Sequence, residues 1–249
     1  MNIFSIFKNR RSRRNRRKQE DGYEGLVASK ELKSPATEPY RVLRTNIHFA
    51  AAEDKQRVLL FTSAGPGEGK SSTSANTAVV MAQAGKKIVI VDCDLRKPTQ
   101  HQLFGIERIH GVTNVLVENW PVDDVIVQTA VPNLSLIASG PLPPNPAELL
   151  GTTKFTQLID SLKERFDIVI IDSPPNIAVT DANVIAAKVD GVILVCNTEL
   201  VKPEMAKKSK ELLLKAKANI LGVVLNKTQV HGSDYYYYYY YYGHNDKES

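Results

Sequence analysis

Eight residues, Ala64 to Ser71, read A-G-P-G-E-G-K-S. Gly65, Gly67 and Gly69 allow the backbone to curl until its N–H groups face one anion, and Lys70 adds a cation beside them. The stretch matches the phosphate-binding pattern G-x-x-x-x-G-K-[ST], with Ala64 at the first position. A small residue at a strand end still permits the turn. Gly65, Pro66, Gly67, Glu68, Gly69, Lys70, Ser71 and Ser72 are therefore expected to hold a nucleotide. Lys70 would reach its β- and γ-phosphates and Ser71 would ligate magnesium. A glycine-rich turn with a chance lysine is the plainer alternative. The apolar run before the loop and the helical pattern after it outweigh that alternative.

Three carboxylates accompany the loop. "KIVIVDCDLRKP" places Asp92 and Asp94 at the end of an apolar run, followed by Arg96, and "FDIVIIDSPP" places Asp172 at the end of another. One aspartate after a strand is ordinarily a turn or cap residue. Three of them beside a phosphate loop fit a cage for magnesium and for charge developing on a transferred phosphoryl group.

A third set is a row of nucleophiles: Tyr235, Tyr236, Tyr237, Tyr238, Tyr239, Tyr240, Tyr241 and Tyr242. Elsewhere the chain has only Tyr23 and Tyr40, so tyrosine is scarce where a core would be built. Alone, the run resembles an aggregation-prone aromatic segment. Asp234 before it and "GHNDKES" after it keep the end polar. A tyrosine hydroxyl has a pKa near ~10 and is protonated at neutral pH. A carboxylate near it suffices to accept that proton during phosphoryl transfer, where positioning and electrostatics dominate.

The elements that must position these groups are legible as short apolar runs: "RVLLFTS", "KIVIVD", "NLSLIAS", "FDIVIID", "GVILVC" and "ILGVVLN". Runs rich in Val and Ile, without alternation, suit strands covered on both faces. Helical patterns lie between them, near 71–84, 146–164, 180–188 and 204–217, and another near 37–53 starts at Thr37 and Pro39. Alternating strands and helices predict an α/β fold with a mostly parallel central sheet flanked by helices on both sides. In such sheets ligands bind at the carboxyl ends of the strands, where Lys70, Asp92, Asp94 and Asp172 fall.

The chain has 249 residues and a formal charge of +5. Residues 8–18, "KNRRSRRNRRK", carry eight basic side chains and no acidic one, so the remainder is net acidic. Residues 1–35 read as a flexible basic arm, 36–228 as the folded domain and 229–249 as a disordered tyrosine-rich tail. The arm is a solvated tail or a contact for anionic lipid, with Met1, Ile3, Phe4, Ile6 and Phe7 entering the interface. No recognition motif accompanies the charge, which argues against nucleic acid. Cys93 and Cys196 sit in apolar runs, without disulfide or metal spacing, which points to a reducing cytosol. No apolar run reaches the length of a membrane span, so a cytoplasmic location is expected.

Together these motifs resemble the bacterial protein-tyrosine kinases (BY-kinases) of the capsule and exopolysaccharide type. The resemblance covers residues 30 to 242. It rests on Walker A at Ala64–Ser71, the A′ motif "VIVDCDLR" at Val89–Arg96 and Walker B "IVIIDSPP" at Ile168–Pro175. "GPLPPNPAELL" at Gly140–Leu150, Glu38-x-x-Arg41-x-x-Arg44 and the tyrosine cluster complete it. Each Walker motif alone is widely shared; the A′ motif with a tyrosine-rich end is far more specific. The resemblance implies a P-loop NTPase-like fold, ATP and magnesium as cofactors, and autophosphorylation of the cluster in trans between subunits of a ring. It also implies phosphorylation of other proteins and control of polysaccharide synthesis.

Carried over by position, Lys70 and Ser71 hold nucleotide and metal, Asp92 takes the tyrosine proton, and Asp94 and Asp172 flank magnesium. Asn226 joins the nucleotide-binding set. Glu38, Arg41 and Arg44 make the subunit contact, although from spacing alone they read as a helix-surface pair. In the Gram-positive branch of the family the kinase chain is separate from a transmembrane activator, whose cytosolic tail is then a partner. A tyrosine phosphatase and protein substrates in polysaccharide synthesis are further implied partners, with recruitment to the inner face of the plasma membrane. Two alternatives remain: a non-kinase ATPase of the positioning and partitioning type, and a nucleotide-gated interaction scaffold. Positioning ATPases usually carry a lysine where Gly65 stands, and they give no reason for eight tyrosines.

Overall fold

Six strands form where the apolar runs predict them: β1 (Val58–Ser63), β2 (Ile88–Asp92), β4 (Leu134–Ile137), β5 (Ile168–Asp172), β6 (Gly191–Asn197) and β7 (Ile220–Asn226). A two-residue strand, β3 (Val127–Gln128), adds an edge that the sequence did not suggest. These come from a computed structural model, which describes residues 26–30, 36–50 and 57–228. The sheet order is β3-β4-β2-β5-β1-β6-β7. Every pairing is parallel except that of β3 with β4.

Both faces of the sheet are covered, which explains the unbroken apolar runs. Successive side chains point to opposite faces of a strand. Val58, Leu60, Val89, Val91, Val169 and Ile171 join one core. Their neighbours Leu59, Phe61, Ile88, Ile90 and Ile170 join the other. The first core is closed by α5 (Val112–Glu118), α7 (Thr153–Lys163), α8 (Asp181–Ala186) and α9 (Pro203–Lys215). The second is closed by α1 (Val27–Lys30), α2 (Glu38–Ala50) and α3 (Lys70–Gln83).

Several boundaries differ from the sequence reading. The helix expected over 146–164 is two helices, α6 (Pro146–Gly151) and α7. Thr152 breaks it: its backbone is extended and its hydroxyl accepts the Phe155 N–H, a cap that starts a new helix. The helix expected over 37–53 is described only as Glu38–Ala50, and residues 51–53 lie outside the described residues.

Residues 26–30, assigned above to the flexible arm, belong instead to the folded body. Leu26 and Ala28 are fully buried. The Ala28 N–H donates to Asn76 Oδ1 at 2.9 Å, and Gln83 Nε2 donates to the Ala28 carbonyl at 2.9 Å. Both partners lie on α3. Four residues are too few to display a helical period, so this docking leaves no pattern to read.

Candidate active site

β1 runs directly into the phosphate loop, and α3 begins at Lys70. The turn needs left-handed backbone at Gly67 (φ 77°) and Gly69 (φ 87°), which glycine adopts at little cost. Pro66 and Gly67 form the exposed rim, while Glu68 is buried beneath it. The Gly65 N–H donates to one Glu68 carboxylate oxygen and the Asn197 N–H to the other, at 3.1 Å. Asn226, at the end of β7, donates from Nδ2 to the Glu68 carbonyl at 2.9 Å. The loop is thus pinned to the ends of β6 and β7. Further along, the Ser72 carbonyl accepts Asn76 Nδ2 at 2.8 Å.

The three carboxylates meet Lys70. Its ammonium lies 2.9 Å from Asp94 Oδ2, 3.5 Å from Asp172 Oδ1 and 3.0 Å from Ser71 Oγ. Burial works against its charge, but Asp172 and Asp94 outweigh that and raise its pKa. Asp92 and Asp172 are register partners on the adjacent strands β2 and β5, and both are fully buried. Burial, reinforced by the Asp172 charge, pushes the Asp92 carboxyl well above the usual carboxylate range. Both Asp92 oxygens also accept main-chain donors, from Gln100 N–H at 3.1 Å and Asp94 N–H at 3.3 Å.

Asp172 Oδ1 is buried and accepts no hydrogen bond among the described residues; Lys70 lies at ion-pair distance from it. Ser71 Oγ, Asp94 and this free oxygen are the hard donors a magnesium ion takes, usually together with phosphate oxygens and water. Among the described residues, no three His, Cys, Asp or Glu side chains close a metal cage by themselves.

Three participants escaped the sequence reading. Gln100, at the start of α4 (Gln100–Leu103), reaches Asp172, Ser71 and Ser74. Pro98 and Thr99 mark a helix start there, but nothing in their spacing points to Asp172. Asn197 is the second, through the Glu68 clasp. Asp181 is the third: it is fully buried and takes Arg96 in two parallel hydrogen bonds of 2.9 Å, tying the A′ loop to α8. The thiols of Cys93 and Cys196 are buried and free. Burial pushes Cys93 well up and Cys196 up to about 11, so neither is a ready nucleophile.

The remaining predicted residues lie apart from this cluster. Glu38 and Arg41 pair at 3.2 Å on α2, and Arg44 donates to the Val80 carbonyl at 3.3 Å. Tyr235 to Tyr242 lie outside the described residues. Among the described residues, no helix is long and apolar enough to cross a membrane.

A parallel sheet, a glycine loop opening a helix, and acidic strand ends around the loop lysine define a nucleotide-binding P-loop protein. Residues 56–218 match a family model described as "AAA domain". The chain is similar to tyrosine-protein kinase YwqD of Bacillus subtilis, with 40% identity over 222 residues, covering 89% of this chain and 90% of that one. The crystal structure of the chimerical protein CapA2B2 superposes with a TM-score of 0.79 and 40% identity, covering 83% and 91% of the two chains. A more remote likeness is the septum site-determining protein MinD of Pyrococcus horikoshii, in complex with Mg-ADP. Its TM-score is 0.60 and its identity 25%, covering 70% and 72%. The chain belongs to the bacterial tyrosine-protein kinases of the capsule and exopolysaccharide type.

Proposed function

We propose that this chain transfers the γ-phosphoryl group of ATP, with magnesium, to tyrosines of its own C-terminal cluster in trans and to tyrosines of other proteins that make polysaccharide. The observation that carries the reading is the Lys70 ammonium between Asp94 and Asp172 at the mouth of the phosphate loop. Lys70 would hold phosphate oxygens of a bound nucleotide, and Asp94 and Asp172 would hold the metal. Magnesium would neutralise phosphate charge there. Ser71 would complete the donors, and Asp92, beside Asp172 on the adjacent strand, accepts the tyrosine proton. Asn226 and the Glu68 clasp hold the loop in its phosphate-binding curl.

Subunits meet through α2 in a ring. Besides the Glu38–Arg41 pair, this helix exposes Val42 and Phe49, seven residues apart and so on one face. The cytosolic tail of a transmembrane activator switches the enzyme on at the inner face of the plasma membrane, where the basic arm meets anionic lipid. A tyrosine phosphatase resets it. From Asn226 to Tyr242 the chain can extend about ~55 Å, against a domain radius of about ~18 Å, so a neighbour's site is within reach.

The test is an anti-phosphotyrosine blot of pure full-length protein with ATP, magnesium and the activator's cytosolic tail. Wild type should give a strong signal and Lys70→Met none. An equal signal from both would overturn the kinase assignment. Mixing Lys70→Met with a subunit whose eight tail tyrosines are Phe tests transfer in trans: the Lys70→Met tail must become phosphorylated.

A further inference from the structure

Gln100 is a fully buried side chain to which the proposed chemistry gives no role. Its Nε2 lies 2.8 Å from Asp172 Oδ2, 3.0 Å from Ser74 Oγ and 3.1 Å from the Ser71 carbonyl. Its main-chain N–H donates to Asp92 Oδ2 at 3.1 Å. One residue therefore grips both strand-end carboxylates, one through the side chain and one through the backbone, and ties them to the first turn of α3.

The orientation of the amide follows from its partners. A carboxylate and a carbonyl accept only, so the face turned to Asp172 and Ser71 must be the NH₂. The reverse would set Oε1 against a buried carboxylate. With the amide placed this way, Oε1 has no donor among the described residues. That unpaired acceptor is a cost the fold carries while Nε2 stays on Asp172.

The consequence falls on Asp172. Its Oδ2 is occupied by Gln100, and its Oδ1 is left without a hydrogen bond, facing Lys70. We infer that Gln100 is a positioning residue for the phosphoryl-transfer site. By holding Asp172 Oδ2, it fixes Oδ1 as the single oxygen offered to the metal and its water shell, and it locks that carboxylate in register with Ser71. This rests on the nucleotide–magnesium reading of the site. Partners that orient a metal ligand typically change metal affinity by about 10- to 100-fold when removed.

The experiment uses the full-length chain and Mn²⁺ as the probe, read by electron paramagnetic resonance with ADP present. Gln100→Met removes both donors at similar volume, and Gln100→Ala leaves room for a water that donates in their place. Half-saturation by Mn²⁺ should rise about tenfold in Gln100→Met and less in Gln100→Ala. ADP affinity in EDTA, where no metal contributes, should stay within about twofold of wild type. Unchanged Mn²⁺ half-saturation in a folded variant overturns the assignment. So does a loss of metal-free ADP affinity as large as the loss for Mn²⁺, which would mean a general structural role. If Gln100→Met does not fold, Gln100→Ala decides by the same criteria. Failure of wild type to bind Mn²⁺ with ADP would sink the nucleotide–magnesium reading itself, a result distinct from either of these.

Discussion

Asn226 closes over Gly69. Its amide nitrogen lies 2.1 Å from where a β-carbon on Gly69 would sit, and it donates to the carbonyl just before that glycine. The last strand of the sheet therefore latches a loop 158 residues earlier in the chain. Gly69→Ala faces both this clash and a left-handed φ of 87°. It should abolish nucleotide binding, measured by isothermal titration with ADP, while circular dichroism stays native. Asn226→Ala should bind ADP about fivefold more weakly, since one neutral hydrogen bond to the loop is lost (about 1 kcal/mol).

Lys70 balances three buried carboxylates. Lys70→Met leaves Asp92, Asp94 and Asp172 facing one another uncompensated, and the nucleotide-free protein should lose roughly 3 kcal/mol of stability in urea unfolding. Adding Asp172→Asn to Lys70→Met should return part of that loss. A double variant less stable than Lys70→Met alone would contradict this account.

The Arg96–Asp181 pair has a partly exposed guanidinium and a fully buried carboxylate. Arg96→Lys cannot reproduce the two parallel bonds. Urea unfolding should show a loss of about 1–2 kcal/mol, and Arg96→Ala should cost more because Asp181 is then buried unpaired. The reverse order would show that Asp181 is hydrated or otherwise satisfied.

His101 carries a pH dependence. Burial, with help from the Arg108 charge, lowers its pKa below the ordinary 6.5. Between the folded and unfolded values the unfolded chain binds more protons, so stability is full above pH 6.5 and is lost as the pH falls. Melting temperature should thus drop between pH 7 and 5.5 more in wild type than in His101→Gln. The side chain is only half-buried, so the difference is small. Parallel curves would show that His101 does not contribute.

Gly111 tests the packing behind the site. A β-carbon there would sit 1.9 Å from the Ala138 carbonyl oxygen, in backbone that cannot yield as a side chain would. Gly111→Ala should destabilise by about 3 kcal/mol, the upper range for overpacking, and lower the urea midpoint without changing the slope.

Much of this molecule was legible in the sequence, for physical reasons. A buried parallel strand must be apolar on both faces, so six of the seven strands announced themselves. Lys70, Asp92, Asp94 and Asp172 were legible because the chain places chemistry where a strand ends. Gln100, Asn197 and Asp181 were not, because each acts through a contact distant in sequence, and hydrogen-bond partners leave no period. The short docked helix at Val27–Lys30 was hidden likewise, by its brevity beside a strongly basic run. Thr152 hid a break inside what reads as one continuous helix, since a single capping threonine is indistinguishable from an ordinary polar residue.

The pairing of Asp92 with Asp172 across β2 and β5 has one more consequence. Sliding one strand past the other by one residue would carry its carboxylate about 3.3 Å away and turn it to the opposite face. The spacing of the two acids is therefore set by the pairing of β2 with β5, in which Ile88 to Val91 lie against Ile168 to Ile171. The geometry of the acid pair is thus stored as strand alignment, so a mutation deep in the apolar layer that shifted the pairing would be felt first as a loss of aim.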